Sequence, residues 1–182
     1  MKNLILKAVT IVAATLLFGC SSDNDSNEAI NHLECPPGFT GQNCDIPLTP
    51  SLVKITKIRV YKFPNNNGIT GWDGPSSSPD IYLSIDKGLV NIFESSNYYP
   101  DAISNDQISY QFVPDDPIVS RNASDIFDIQ LWDYDLGDTV ASDNDFMVGV
   151  YFAPFTQKNK HSVYISDLDN SVIYEVFLAY EW

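Results

Sequence analysis

The sequence IFDIQLWDYDLGDTVASDNDFMVG, residues 126–149, contains two strand-like runs separated by an acidic loop. Apolar side chains alternate with other residues along the first run, where Phe127, Ile129 and Leu131 share a parity. This period of two predicts a strand with one buried face. A second apolar run starts at Phe146, on the far side of the loop. The stretch therefore predicts two strands whose ends meet at one loop, and we expect the fold and the site to be organised around it.

The loop between these runs carries five carboxylates in thirteen residues, and the sequence has no Lys or Arg from residue 122 to residue 157. Carboxylates at this density repel one another unless a positive charge lies among them. Two of them share the parity of the buried strand positions, so they project to one side, roughly 6.6 Å apart along the strand. Oxygen ligands without His or Cys favour calcium over zinc, and magnesium would demand a stricter octahedron. The loop predicts a calcium site, with a solvated acidic loop as the alternative; its carboxylates are Asp133, Asp135, Asp138, Asp143 and Asp145.

The rest of residues 51–182 reads as further short strands without an amphipathic helix. Turn-forming clusters rich in Asn, Ser, Asp and Pro separate these runs. In the first run the apolar phase slips between Ile55 and Ile58, which predicts a β-bulge near Thr56. Eight strands in one domain of this length predict an all-β, antiparallel β-sandwich. The predicted strands are residues 52–63, 80–85, 89–94, 108–113, 126–132, 146–152, 162–165 and 172–182.

The charge of the chain excludes some classes of function. The 182 residues carry a formal net charge of -14, which would repel nucleic acid instead of neutralising its phosphates. The two histidines, His32 and His161, have no nucleophile motif beside them. A carboxylate pair of the glycosidase type would need a deep sugar cleft, which a small sandwich rarely builds. We therefore expect a protein that is not an enzyme and that does not bind nucleic acid.

The start of the chain reads as a sorting signal and a tether. Lys2 and Lys7 precede an apolar run, residues 8–18, that is too short to span a bilayer. The run ends in Leu-Phe-Gly-Cys, which resembles the cleavage motif of bacterial lipoproteins. This resemblance implies a signal peptide at residues 1–19 and a lipid on Cys20, and hence an anchor in the outer membrane. Residues 20–34 are predicted to be a flexible, disordered tether; their acidic run resembles the surface-export signal of Bacteroidetes lipoproteins, which would expose the protein on the surface.

With Cys20 assigned to lipid, Cys35 and Cys44 remain as a pair. Because the bacterial envelope is oxidising, we expect them to form a disulfide. Their segment, CPPGFTGQNC, resembles the last loop of an EGF-like module, although the other four cysteines of such a module are missing. We interpret residues 35–50 as one disulfide loop and a linker, with no receptor-binding role carried over.

Residues 51–182 contain the loop motifs Trp-Asp-Gly (72–74) and Trp-Asp-Tyr-Asp (132–135), which together resemble those of calcium-binding C2 domains. Trp-Asp-Gly at residues 72–74 and Pro-Asp-Ile-Tyr at residues 79–82 resemble the first calcium loop and the strand after it. Trp-Asp-Tyr-Asp at residues 132–135 and the segment at residues 144–149 resemble the two sides of the third loop. The resemblance implies a C2-like sandwich with calcium bound at one end, and it leaves open whether Asp143 or Asp145 supplies the last ligand; Asp138 is not expected to be one. The implied ligand set is Asp73, Asp80, Asp133, Asp135, Asp143 and Asp145.

These observations lead to one leading hypothesis of function and two alternatives. The first is a surface-anchored, non-catalytic binding or adhesion module, in which calcium orders the loops and the tip contacts a protein, lipid or glycan. Ile69 and Trp72 are candidates for that contact, with packing against the end of the sandwich as the other role for Trp72. In one alternative, calcium only rigidifies the loops of a structural lipoprotein. In the other, the protein binds glycans during nutrient capture, with Tyr98 and Tyr99 as candidate stacking residues.

Overall fold

The computed structural model describes residues 34–68, 71–72, 77–105, 107–135 and 144–182. The predicted signal peptide, the predicted lipidation site Cys20 and almost all of the predicted tether lie outside these residues. The described part contains eleven strands and one 3-10 helix, Pro154–Gln157. The strands are β1 (Phe39–Thr40), β2 (Ile46–Pro47), β3 (Leu52–Lys62), β4 (Ile81–Lys87), β5 (Val90–Glu94), β6 (Tyr110–Phe112), β7 (Ile118–Ser120), β8 (Phe127–Asp133), β9 (Asp145–Phe152), β10 (Ser162–Ser166) and β11 (Ile173–Glu181).

Two antiparallel sheets enclose the core. One sheet has the order β10-β11-β3, and β3 then pairs with β7 along its first half and with β6 along its second half. The other sheet has the order β5-β4-β8-β9. Side chains from the inner faces of both sheets form a single buried cluster, including Val53 and Ile58 from β3, Leu83 from β4 and Leu131 from β8. The predicted all-β, antiparallel sandwich is confirmed.

The predicted number of strands is one too small for this part of the chain. Among the described residues after Ser51 there are nine strands, because β7 lies between residues 113 and 126, where no strand was predicted. Its three residues follow Pro117 directly and are too few to show a period. The structure makes them a strand because Val53–Ile55 of β3 offers them a pairing edge.

The predicted bulge in β3 is confirmed. Lys57 pairs with Phe177 and Ile55 pairs with Leu178, so Thr56 has no residue opposite it in β11. The extra residue shifts the parity and allows both Ile55 and Ile58 to be fully buried, although three positions separate them.

A disulfide closes the cysteine loop, which packs against Trp182. The expected disulfide between Cys35 and Cys44 is present, and β1 pairs with β2 inside the loop. Gly38 has a φ of +89°, and a Cβ added there would lie 2.7 Å from ring carbons of Trp182. Glycine at this position therefore satisfies both the left-handed backbone and the close contact with the indole.

In the part of the chain that the structure describes, there is no helix with the length and apolar character needed to cross a bilayer.

Candidate functional site

Antiparallel pairing brings three of the predicted calcium ligands to one end of the four-stranded sheet. Strand β8 ends at Asp133, while β4 begins directly after Asp80 and β9 begins at Asp145. In the register of the sheet, Asp133 lies between Ile81 on β4 and Asp145 on β9. Residues paired in this way have Cβ atoms about 5 Å apart. We call this end of the sheet the acidic end.

Asp133 is the most buried of these carboxylates. Its exposed fraction is 0%, because it continues the core-facing parity of Ile129 and Leu131. Its Oδ1 accepts a hydrogen bond of 2.6 Å from the backbone N–H of Asp80. The backbone N–H of Tyr134, the residue after β8, donates a hydrogen bond of 2.9 Å to the carbonyl of Asp80. These bonds hold the end of β8 against the residue that precedes β4.

The carboxylate of Asp80 connects the acidic end to a second loop. Its Oδ1 accepts a hydrogen bond of 2.8 Å from the backbone N–H of Asp101, a residue with a φ of +49°. The neighbouring Ala102 N–H donates to the carbonyl of Pro79 at 2.7 Å. No sequence pattern assigned this loop to the site, because its link to Asp80 spans 21 positions along the chain.

Asp135 and Asp145 lie at the acidic end and are closer to the surface than Asp133. The backbone N–H of Asp135 donates to the side-chain oxygen of Asn144 at 3.2 Å, and the amide of Asn144 donates to the hydroxyl of Tyr82 at 3.0 Å. Asp135 is half-buried, while Asp145 is exposed. Asn144 therefore joins the two sides of the loop that separates β8 from β9.

The remaining predicted site residues are distributed differently. Asp73, Asp143 and Ile69 lie outside the described residues, as does Asp138. Trp72 is half-buried, packs against the core and donates its indole N–H to the carbonyl of Pro64 at 2.9 Å. These contacts correspond to the packing role that was the alternative for Trp72.

The donor set fits calcium in chemistry, but the described residues do not complete a site. Among them, no group of three or more His, Cys, Asp and Glu side chains is arranged to hold a metal ion. Calcium takes six to eight oxygen ligands, and the carboxylates at the acidic end are ligands of this type. A carboxylate offers about four lone-pair positions, so a single hydrogen bond to Asp80 or Asp133 is compatible with coordination.

The basic charge within the strands of the four-stranded sheet lies far from the acidic end. The single Lys or Arg within its strands is Lys87, the last residue of β4, about 20 Å along that strand from the acidic end. Its ammonium forms a salt bridge of 2.8 Å with Asp125, which is 6% exposed. The same carboxylate accepts hydrogen bonds from the hydroxyl of Ser120 and the N–H groups of Arg121 and Asn122.

Asp125 is expected to make the stability of the protein depend on pH. Burial alone would raise the pKa of this carboxyl, but the bonds from Lys87, Ser120 and Asn122 outweigh it and lower the pKa from 3.8 to about 2. Because the folded pKa lies below the unfolded one, the stabilisation is present above pH 4 or so and is lost as the pH falls towards 2; it amounts to about 2 kcal/mol. Urea unfolding across this range should show a flatter pH dependence for Asp125→Asn than for the wild type. Parallel curves would contradict this role of Asp125.

Comparisons with known proteins give structural neighbours only. No protein-family model and no curated protein matches the chain. A solved C2 domain is similar at 13% identity and a TM-score of 0.45, over 72% of this chain and 98% of that one. A C2 domain of plant extended synaptotagmin 1 has 14% identity and a TM-score of 0.44, over 72% of this chain and 95% of that one. The calcium-bound pair of C2 domains from extended synaptotagmin 2 has 17% identity and a TM-score of 0.44, over 75% of this chain and 47% of that one.

These structural neighbours are thus C2 domains at low identity. Identities of this size are too low to transfer the role of any residue. The candidate site depends on the chain's own aspartates and on the contacts that they make.

Proposed function

We propose that the protein is a non-catalytic binding module whose acidic end binds calcium and whose Cys20 lipid anchors it in the outer membrane. The observation that carries the calcium proposal is the fully buried carboxylate of Asp133. The strand register pairs Asp133 with Asp145, and the Oδ1 atom of Asp133 accepts a hydrogen bond from the backbone N–H of Asp80. A charge in such a position is expensive to bury, and metal coordination is one of the arrangements that offset the cost.

In this proposal each predicted ligand has a role at the acidic end. Asp133 and Asp135, on one strand and at its exit, would hold the ion from one side, and Asp80 would approach from the neighbouring strand. Asp73, which lies outside the described residues, would complete the set together with either Asp143 or Asp145. Calcium would supply positive charge among carboxylates that repel one another. The chain's own hydrogen bonds already hold Asp80 and Asp133 in place, so the ion would mainly order the loops beyond them.

Calorimetric titration of the purified full chain with calcium tests this proposal. We expect saturable binding with a dissociation constant of about 0.1–1 mM, the range of many extracellular calcium modules. The combined variant Asp133→Asn and Asp135→Asn should bind no calcium in this range, because two charged ligands are lost while the side-chain shape is kept. Absence of binding heat in the wild type, together with an unchanged melting temperature in calcium, would refute the proposal.

A further inference from the structure

A cavity opens on the outer face of the four-stranded sheet, next to the acidic end. Its volume is about 290 Å³, close to the lower end of the range for small-molecule sites. The residues that line it are Tyr82, Glu94, Ser95, Ser96, Asn97, Tyr98 and Tyr134. None of them belongs to the predicted calcium ligands, although Tyr134 lies between Asp133 and Asp135 in the chain.

The polar groups of this cavity are available to a ligand. Glu94, Ser96 and Asn97 are exposed, and their side chains make no hydrogen bond within the described residues. The hydroxyls of Tyr98 and Tyr134 likewise make none there. A carboxylate, an amide and three hydroxyls therefore border one small space, and together they can both donate and accept hydrogen bonds.

Aromatic rings form the other part of the surface. Tyr98 stacks on Tyr134 with ring centroids 4.7 Å apart, and Tyr134 meets the edge of Tyr82 at 6.1 Å. Tyr82 is paired across the strands with Trp132, and Trp132 with Phe146. The ring centroids of these two pairs are 6.3 and 5.3 Å apart. A continuous row of rings thus leads from the cavity to Phe146, which is 53% exposed.

We propose that this cavity and the adjoining row of rings bind a neutral oligosaccharide. Ring faces pack on the apolar C–H faces of sugars, while the carboxylate, amide and hydroxyl groups match the alternating donors and acceptors of sugar hydroxyls. The size of the cavity suits one sugar unit, and the row offers a platform to the next units of the same chain. An acidic sugar is disfavoured because Glu94 and the nearby acidic end would repel it.

The polar side chains that line the cavity also favour a sugar over an organic cation as its ligand. Tyrosines beside a carboxylate can hold a quaternary ammonium group through cation–π attraction. Such an ammonium group would use Glu94 and the ring faces, but it has no N–H and could not hydrogen-bond to Asn97 or Ser96. The sugar therefore accounts for more of the groups that line the cavity.

This inference goes beyond the proposed calcium-binding function and stands on the cavity and the rings alone. Calcium would act on it through the position of Tyr134 and through Asn144, which bonds both to Asp135 and to Tyr82. Titration of the full chain with neutral oligosaccharides of glucose, xylose, mannose and galactose, in calcium and in EGTA, is the test. Binding of at least one of them is expected, and Tyr98→Ala should weaken it about fivefold, since stacking contributes on the order of 1 kcal/mol.

Tyr151→Ala is the matched control for this test. Tyr151 is 77% exposed and is paired with Asp128 on the same outer face, towards the other end of the sheet. Its removal should leave sugar binding unchanged. The inference is overturned if no neutral oligosaccharide binds in either condition, or if Tyr98→Ala and Tyr151→Ala behave alike. Binding of choline that is lost in Glu94→Gln, without any sugar binding, would overturn it in favour of a cationic ligand.

The calcium proposal and the sugar proposal can be refuted independently of each other. If titration shows heat of calcium binding but no sugar binding, only the sugar inference is overturned. Sugar binding that persists in EGTA and in the Asp133→Asn, Asp135→Asn variant supports the sugar site, even where calcium binding is absent.

Discussion

Calcium at about 10 mM is expected to raise the melting temperature of the protein by roughly 5 to 10 °C, and the Asp133→Asn, Asp135→Asn variant is expected to lose this rise. With a dissociation constant near 0.1 mM this concentration is about a hundredfold excess, which stabilises the folded state by about 2.7 kcal/mol. Thermal unfolding with and without calcium measures the effect.

The double variant is designed to remove charge without removing the local structure. After Asp133→Asn, the amide oxygen of the new side chain can still accept the hydrogen bond that the backbone of Asp80 donates. Without calcium, the variant should be at least as stable as the wild type, because two mutually repelling charges are gone. The change should therefore appear in the response to calcium and not in the stability of the ion-free protein.

Asp86 and Asp128 provide the control for this experiment. They are register partners on β4 and β8, near the end of the sheet that carries Lys87. Asp86→Asn combined with Asp128→Asn removes the same charge from the same sheet and should leave the rise in melting temperature intact. If this control variant loses the rise as well, the effect reports net charge and not a site at Asp133.

Substitutions of Tyr174 are expected to change the stability in opposite directions. Tyr174 is fully buried on β11, between β10 and β3, and burial raises the pKa of its hydroxyl. Among the described residues its hydroxyl has no hydrogen-bond partner. Tyr174→Phe should therefore raise the free energy of unfolding by roughly 1 kcal/mol, since a buried unsatisfied group costs about 1–3 kcal/mol.

Tyr174→Ala should instead lower the free energy of unfolding by roughly 3–5 kcal/mol, because it leaves a large cavity in the core. Urea unfolding of both variants, beside Tyr151→Phe on the surface, separates the two contributions. The surface variant should stay within about 0.5 kcal/mol of the wild type. A cost of about 1 kcal/mol or more for Tyr174→Phe would contradict the assignment and indicate that the hydroxyl is hydrogen-bonded.

The strands that the sequence predicted best are those with a clear period of two. Phe127, Ile129 and Leu131 were expected to be buried and are, and the parity of the same strand placed Asp133 on the inner side. The slip in parity at Thr56 likewise located a bulge, since an extra residue must shift every later side chain by one face. In contrast, the three residues of β7 were too few to show any period.

The candidate site was predictable in composition and only partly in geometry. The density of aspartates and the absence of Lys and Arg are visible in the sequence, and they locate the acidic loop without any structure. The link from Asp80 to Asp101 and the row from Tyr98 to Phe146 were not visible. Each joins residues on different strands or loops, and nothing in a local pattern reports which of them become neighbours.

By itself the sequence determined an all-β protein with an acidic loop after Asp133 and a disulfide between Cys35 and Cys44. It could do so because side-chain alternation, charge density and the pairing of the two remaining cysteines need no knowledge of the register between strands. The tertiary structure decided which aspartates meet, which of them is fully buried, and that a polar cavity lined with tyrosines lies beside them. These properties depend on how β4, β8 and β9 align, and that alignment is set by the packing of the whole core.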